Sequence, residues 1–219
     1  MRRTRRLLAG VLAGAMLMTG AGAATADLLS AASSGNLAEV GRLIASGADL
    51  EQRDGQGQTP LLRAVAGNHV AVAKALLAAG ASLNAQAANQ DTPWLLAGAA
   101  GRSEIVAAML PLKPDLSLRN RYGGDALIPA CERAHVETVK LLLTSGIDVN
   151  HVNNLGWTCL LEIVILGDGG PRHQQVAKLV LDAGANPNLA DKDGVTPLQH
   201  ARKRGQSEVA KLIAAKGGR

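Results

Sequence analysis

Aromatic side chains cannot fill the interior of this chain: among 219 residues there is no Phe, one Tyr and two Trp. Apolar residues nevertheless make up 47%. The core must therefore come from Ala, Leu, Val and Ile, whose small side chains suit helices stacked closely in layers. Cysteine is scarce, with Cys131 and Cys159 alone, which excludes a disulfide-dense scaffold. Acidic residues are absent before Asp27, whereas Arg2, Arg3, Arg5 and Arg6 crowd the start. These are four of 23 basic residues, so most of the net charge of +5 sits at the N-terminus and the rest of the chain has 19 basic against 18 acidic side chains. A nearly neutral body lacks the basic footprint that drives phosphate binding, which argues against a nucleic-acid partner.

A run of about 20 strongly apolar residues, the length a membrane span needs, is also missing. The four arginines are followed by the shorter LLAGVLAGAMLM, and then by small residues at Ala21-Gly22-Ala23 and Ala24-Thr25-Ala26. A positive start, a short apolar stretch and small residues at the cut form a signal peptide, here assigned to residues 1–26. Either small-residue triplet fits the cleavage site. The rival is an uncleaved anchor, disfavoured by the Gly and Ala content. Thr4-Arg5-Arg6-Leu7-Leu8 partly matches a twin-arginine export signal, but a plain secretory signal is the preferred reading. The implied location is the periplasm, with secretion as the alternative, and no membrane contact beyond the signal peptide.

What is present is a period. Thr59-Pro60-Leu61 is followed 33 residues later by Thr92-Pro93-Trp94, then by Asp125-Ala126-Leu127 and Thr158-Cys159-Leu160 at the same spacing. Thr196-Pro197-Leu198 follows after 38. Gly47-Ala48-Asp49, Gly80-Ala81-Ser82, Gly146-Ile147-Asp148 and Gly184-Ala185-Asn186 fall on the same lattice. A fixed period in this range marks a solenoid of stacked supersecondary units. Within a unit, Thr59 is placed to cap a helix whose first turn holds Pro60. Gly67-Asn68 breaks that helix, and Val72, Ala73, Leu76 and Leu77 give a second helix its apolar face. The five residues beyond one period lie in GDGGPRH, from Gly167 to His173, read as a surface loop between helices.

TPLLRA, TPWLLA and TPLQHA at the first helix resemble the ankyrin repeat family, as do AEVGRLIASGADLE, VETVKLLLTSGIDVN and QQVAKLVLDAGANPN at the second. The resemblance covers the chain from about Asp27 to its end. It implies an all-α ankyrin repeat solenoid of helix-turn-helix units joined by short β-hairpin-like fingers. The units are an N-terminal cap (27–57), 58–90, 91–123, 124–156, 157–194 and a C-terminal half repeat (195–219). Two units depart from the pattern. LPLKPD puts Pro111 and Pro114 where a Gly-Ala stop belongs, so that helix should end early. Pro129 falls inside a first helix and should distort it.

No constellation of catalytic residues stands out, and no cofactor or metal site is assigned. His69 and His135 occupy a position that is structural in the family. GDGG lacks the preceding strand and the Gly-Lys-Ser/Thr ending of a phosphate loop. An enzyme would have to use the insertion with Asp168 and a neighbouring His. Cys131 and Cys159 differ by five places within their units. Five residues of rise add about 7.5 Å to a layer spacing of about 10 Å, which predicts two buried thiols and no disulfide.

Ankyrin-like stacks bind other proteins along a concave surface of finger tips and first helices. The corresponding tip residues are Arg119, Arg121, Tyr122, Val152, Asn154, Leu155 and Trp157, with Arg63, Glu132, Arg133 and Glu162 on the first helices. Trp157 either joins Tyr122 and Leu155 in an exposed patch or folds back to complete the core; Trp94 takes a core position. The mixed charge of the helix residues suits a protein partner better than a polyanion, and equally describes an ordinary solvated face. The resulting functional reading is a periplasmic protein-binding module, monomeric or in a heterocomplex, acting as an inhibitor, an immunity protein or a scaffold of an exported enzyme. A host-directed effector is the alternative.

Overall fold

The computed structural model describes residues 27–219; the signal peptide assigned to 1–26 lies outside the described residues. Among the described residues twelve α-helices come in pairs: α1 (Leu28–Ser33) with α2 (Leu37–Ala45), α3 (Pro60–Ala66) with α4 (Val70–Ala78), α5 (Pro93–Ala99) with α6 (Ser103–Met109), α7 (Leu127–Glu132) with α8 (Val136–Leu143), α9 (Cys159–Ile165) with α10 (Pro171–Asp182), and α11 (Pro197–Lys203) with α12 (Ser207–Ala215). First helices pack on first helices and second helices on second helices, so the layers form a solenoid with no strand among the described residues.

The repeating threonines start the first helices. The hydroxyls of Thr59, Thr92, Thr158 and Thr196 accept from the amides of Leu62, Leu95, Leu161 and Gln199, which would otherwise lack a partner. At the fourth unit Asp125 takes over, its Oδ1 accepting from Leu127 (2.9 Å) and Ile128 (3.1 Å). Pro129 is the third residue of α7, and its missing amide removes the bond that Arg63, Leu96, Glu162 and His200 make to the cap carbonyl of their units. The distortion it brings is a start one residue later than in the neighbouring units. The helix before it does end early, passing into a 3-10 turn at Leu110–Leu112 and a left-handed Lys113 (φ 53°).

The core is aliphatic, with Trp94 its largest fully buried side chain. No pair of helices is thick enough to bury its own apolar face; Leu76, Ile105, Val139 and Val180 are each covered by the units on either side. A second set of bonds ties unit to unit. Nε2 of His69 lies 2.9 Å from the Ser33 carbonyl oxygen, and Arg102 donates to Ala66 at 3.2 Å. His173 Nε2 lies 2.9 Å from the Glu132 carbonyl, and Gln206 donates to Gly167 at 2.9 Å. The structural reading of His69 is therefore correct, and His173 fills the same place despite the insertion.

One expectation holds in part and one fails. The insertion is a loop between helices over Gly167–Gly170, but its last three residues are helical: Pro171 opens α10, which runs for 12 residues. Cys131 and Cys159 form a disulfide with their Cα atoms 5.5 Å apart, so neither is a free thiol. The assumption of layers in axial register was wrong. Successive first helices are staggered, so the end of one abuts the start of the next. Gly98 and Ala126, separated like the cysteines by 28 residues, show the same contact: a Cβ on Gly98 would lie 2.6 Å from the Ala126 carbonyl oxygen.

Candidate functional site

Between each pair of units the chain makes a finger. The amide-to-carbonyl bonds Asp54–Gln58 (3.2 Å), Ala87–Asp91 (2.9 Å), Asn120–Gly124 (2.9 Å), Asn153–Trp157 (3.0 Å) and Asp191–Val195 (3.1 Å) close hairpin-type turns. An Asp or Asn at the base supports four of them from inside. Asn153 Oδ1, for instance, accepts from Leu155 (2.9 Å) and Trp157 (3.0 Å). Adjacent fingers join through their backbones, Ala88 donating to Gln56 and Asn154 to Tyr122.

Nine residues beyond each finger base, the first helix presents Arg63, Leu96, Pro129, Glu162 and His200 in turn. At the ends of this row the side chain closes onto its finger. Arg63 Nε donates to Asp54 (2.8 Å), and His200 Nε2 meets Asp191 Oδ2 at 2.7 Å. Both carboxylates are held below their usual range, Asp54 chiefly by the Gln58 amide and Asp191 chiefly by His200. In the middle the row is apolar, Leu96 and Pro129, and no such closure occurs. Here Tyr122, Leu155 and Leu166 stand about half exposed. With Ile128, Pro129, Glu132 and Glu162 they line a cavity of about 180 Å³.

The acidic floor of this notch is unusual. Glu162 is only 5% exposed. Its Oε1 accepts from Asn153 Nδ2 at 3.0 Å, but burial, and next the negative charge of Glu132, push its carboxyl up to about 7. The Asn153 bond opposes that shift without cancelling it.

The remaining residues singled out from the sequence divide between surface and scaffold. Arg121, Tyr122, Val152, Asn154 and Leu155 are exposed at the tips. The Arg121 guanidinium lies over the Tyr122 ring, 4.7 Å from its centroid. Arg119 turns inward and donates to the Leu116 and Leu118 carbonyls, so it shapes its loop. Arg133 is exposed but donates to Ala99 at 2.6 Å, another bond between units. Trp157 is half-buried and packed against the core, which decides between its two readings. Sequence reasoning missed Leu166. The signal was there: it holds the position that Gly67, Ala100 and Arg133 occupy in other units, and a large aliphatic residue at a helix end lacks a core reason.

The insertion does not assemble a catalytic base. Asp168 Oδ1 accepts from the Gly170 amide (2.8 Å) and meets His173 Nδ1 (2.7 Å), while the other ring nitrogen is taken by Glu132. Among the described residues no three His, Cys, Asp or Glu side chains gather to hold a metal ion, and no helix is long and apolar enough to cross a membrane.

The family model for ankyrin repeats in three copies matches residues 28–120, 94–191 and 127–219. A putative ankyrin repeat protein of Escherichia coli K12, YahD, is 50% identical over 110 residues, covering 50% of this chain and 55% of the relative, so the match spans about half of that protein's length. Cyclin-dependent kinase 4 inhibitor B of Bos taurus is 35% identical over 99 residues, covering 44% of this chain and 71% of the relative. The crystal structure of an ankyrin repeat domain from Acinetobacter baumannii superposes with a TM-score of 0.84 at 49% identity, covering 88% of this chain and 98% of that one. With helix pairs, fingers and period all in agreement, this chain belongs to the ankyrin repeat family.

Proposed function

We propose that this protein is an exported binding module that holds a protein partner on the fingers and first helices of its middle units, as an inhibitor, an immunity protein or a scaffold of an exported enzyme. Ankyrin repeats are protein-interaction modules, and this reading gives that general role a place. The observation that carries it is the grouping of Tyr122, Leu155 and Leu166, half-exposed apolar side chains around one notch, whereas the two ends of the row are closed by Arg63–Asp54 and His200–Asp191. Exposed aromatic and aliphatic side chains on rigid neighbouring turns are what a binding hot spot needs.

Export is supported by the signal-like N-terminus and by the Cys131–Cys159 bond, which persists most readily in an oxidising compartment. The inhibitor reading draws on the bovine relative, whose name records inhibition of a kinase. An enzymatic role has no support in the insertion, where both nitrogens of His173 are already engaged.

The test is a pulldown from periplasmic extract with wild type, Tyr122→Ala and Leu155→Ala side by side. One protein captured by the wild type and lost with both variants is the expected result. Equal capture by all three would move the binding face elsewhere.

A further inference from the structure

Glu162 poses a problem that its fold does not solve. It is almost fully buried, yet among the described residues no cation acts on it. The groups around it come from three elements. Glu132 faces it from α7 and carries the same sign. Asn153, from the finger, supplies one neutral donor. From α10, His173 is directed at the Glu132 backbone carbonyl and at Asp168. Arg133 is turned away to Ala99, and Arg121 lies over Tyr122 at the rim. A carboxylate buried beside a like charge, with no counter-charge, is costly to keep ionised. At the two ends of the row the fold itself supplies the partner, Arg63 for Asp54 and His200 for Asp191. At Glu162 the finger supplies only the neutral amide of Asn153.

The notch also has a shape. At about 180 Å³ it is smaller than the roughly 300–1,000 Å³ of ordinary small-molecule sites, a scale that suits one side chain. Its walls are Tyr122, Leu155 and Leu166, its sides Ile128 and Pro129, and its floor the two carboxylates. An apolar wall above an acidic floor complements a long side chain with an alkyl stem and a cationic head.

We propose that the notch between the fourth and fifth units is the receptor for a single Arg or Lys side chain of the protein partner, its stem between Tyr122, Leu155 and Leu166 and its head on Glu162 and Glu132. This rests on the reading of the finger face as the binding surface. The inserted cation would stabilise Glu162 in its charged form, so binding near neutral pH expels a proton.

A random peptide library displayed on phage, selected on the full mature protein at neutral pH, tests this without knowledge of the partner. The expected outcome is enrichment of peptides with one basic residue flanked by apolar ones. A selected peptide should bind Glu162→Gln and Glu132→Gln roughly tenfold or more weakly. Calorimetry in two buffers of different ionisation heat should report proton release with the wild type and less with Glu162→Gln. Tyr122→Ala, at an exposed position, should weaken the same peptide and guards against a folding defect in the Glu variants. Peptides that need Tyr122 but show no basic preference, and bind the Gln variants unchanged, would overturn the receptor and leave the binding face standing. Selected peptides indifferent to Tyr122, Glu132 and Glu162 alike would overturn both.

Discussion

Glu162 carries the sharpest consequence at the scale of single residues. Its carboxyl titrates near 7 in the folded chain and near its ordinary 4.5 when unfolded, so the unfolded state loses its proton first as pH rises. Folding stability from this group is therefore intact below about pH 4.5 and falls through the window up to about 7. The loss is on the order of 3 kcal/mol. Glu162→Gln keeps the acceptor for Asn153 and removes the charge. Thermal melts should place the variant close to wild type at about pH 4.5 and several degrees above it at about pH 8; equal melting at both values would mean that Glu162 is solvated. Gly98 makes the opposite point. Its substitution by Ala puts a Cβ against the Ala126 backbone, which cannot retreat as a flexible side chain would. A loss of about 1–3 kcal/mol in denaturant unfolding is expected.

At the scale of elements, the disulfide joins the end of α7 to the start of α9 across a separation of 28 residues. Constraining a loop of that size in the unfolded chain is worth about 3–4 kcal/mol. Reduction, or Cys131→Ser with Cys159→Ser, should lower the unfolding midpoint accordingly; an unchanged midpoint would show that the bridge adds nothing to the stack. The individual helices were readable because their signals are local. A Thr or Asp cap, followed by Pro in three units, marks the starts of the first helices, and a turn-forming stretch follows the second helices. The pairing between units was not readable in the same way, because a period fixes the repeat and leaves the axial stagger free. The spacing of 28 that joins the cysteines also joins Gly98 to Ala126, and a small residue on each side of that contact was the available clue. The insertion's loop was read three residues too long: Gly169-Gly170 do lie in it, but Pro171 is a favoured first helical residue and opens the helix.

Taken whole, the molecule is a row of fingers tied to one another, closed by charged pairs at its two ends and apolar in its middle. The tips could be found in the sequence by counting along the period, which brought out Tyr122, Leu155 and Glu162. Their joint meaning could not. Burial of Glu162 beside Glu132, the turning away of Arg133 to Ala99 and the place of Leu166 beside Tyr122 depend on neighbours 30 or more residues distant. Because each unit leans only on those beside it, weakening the fourth unit should separate the stack into two unfolding steps. Hydrogen exchange on a Leu127→Ala variant would show this as early loss of protection in α7–α10 with α1–α4 still protected; uniform loss along the chain would speak for a single cooperative block.

The central claim is that the finger face around Leu155 holds a partner. A photo-crosslinking amino acid placed at Leu155 in the producing cells, and at the exposed Lys74 on a second helix as control, tests it most directly. One protein adduct from Leu155 and none from Lys74 is the result predicted. Adducts from Lys74 alone, or none from either site, would contradict it.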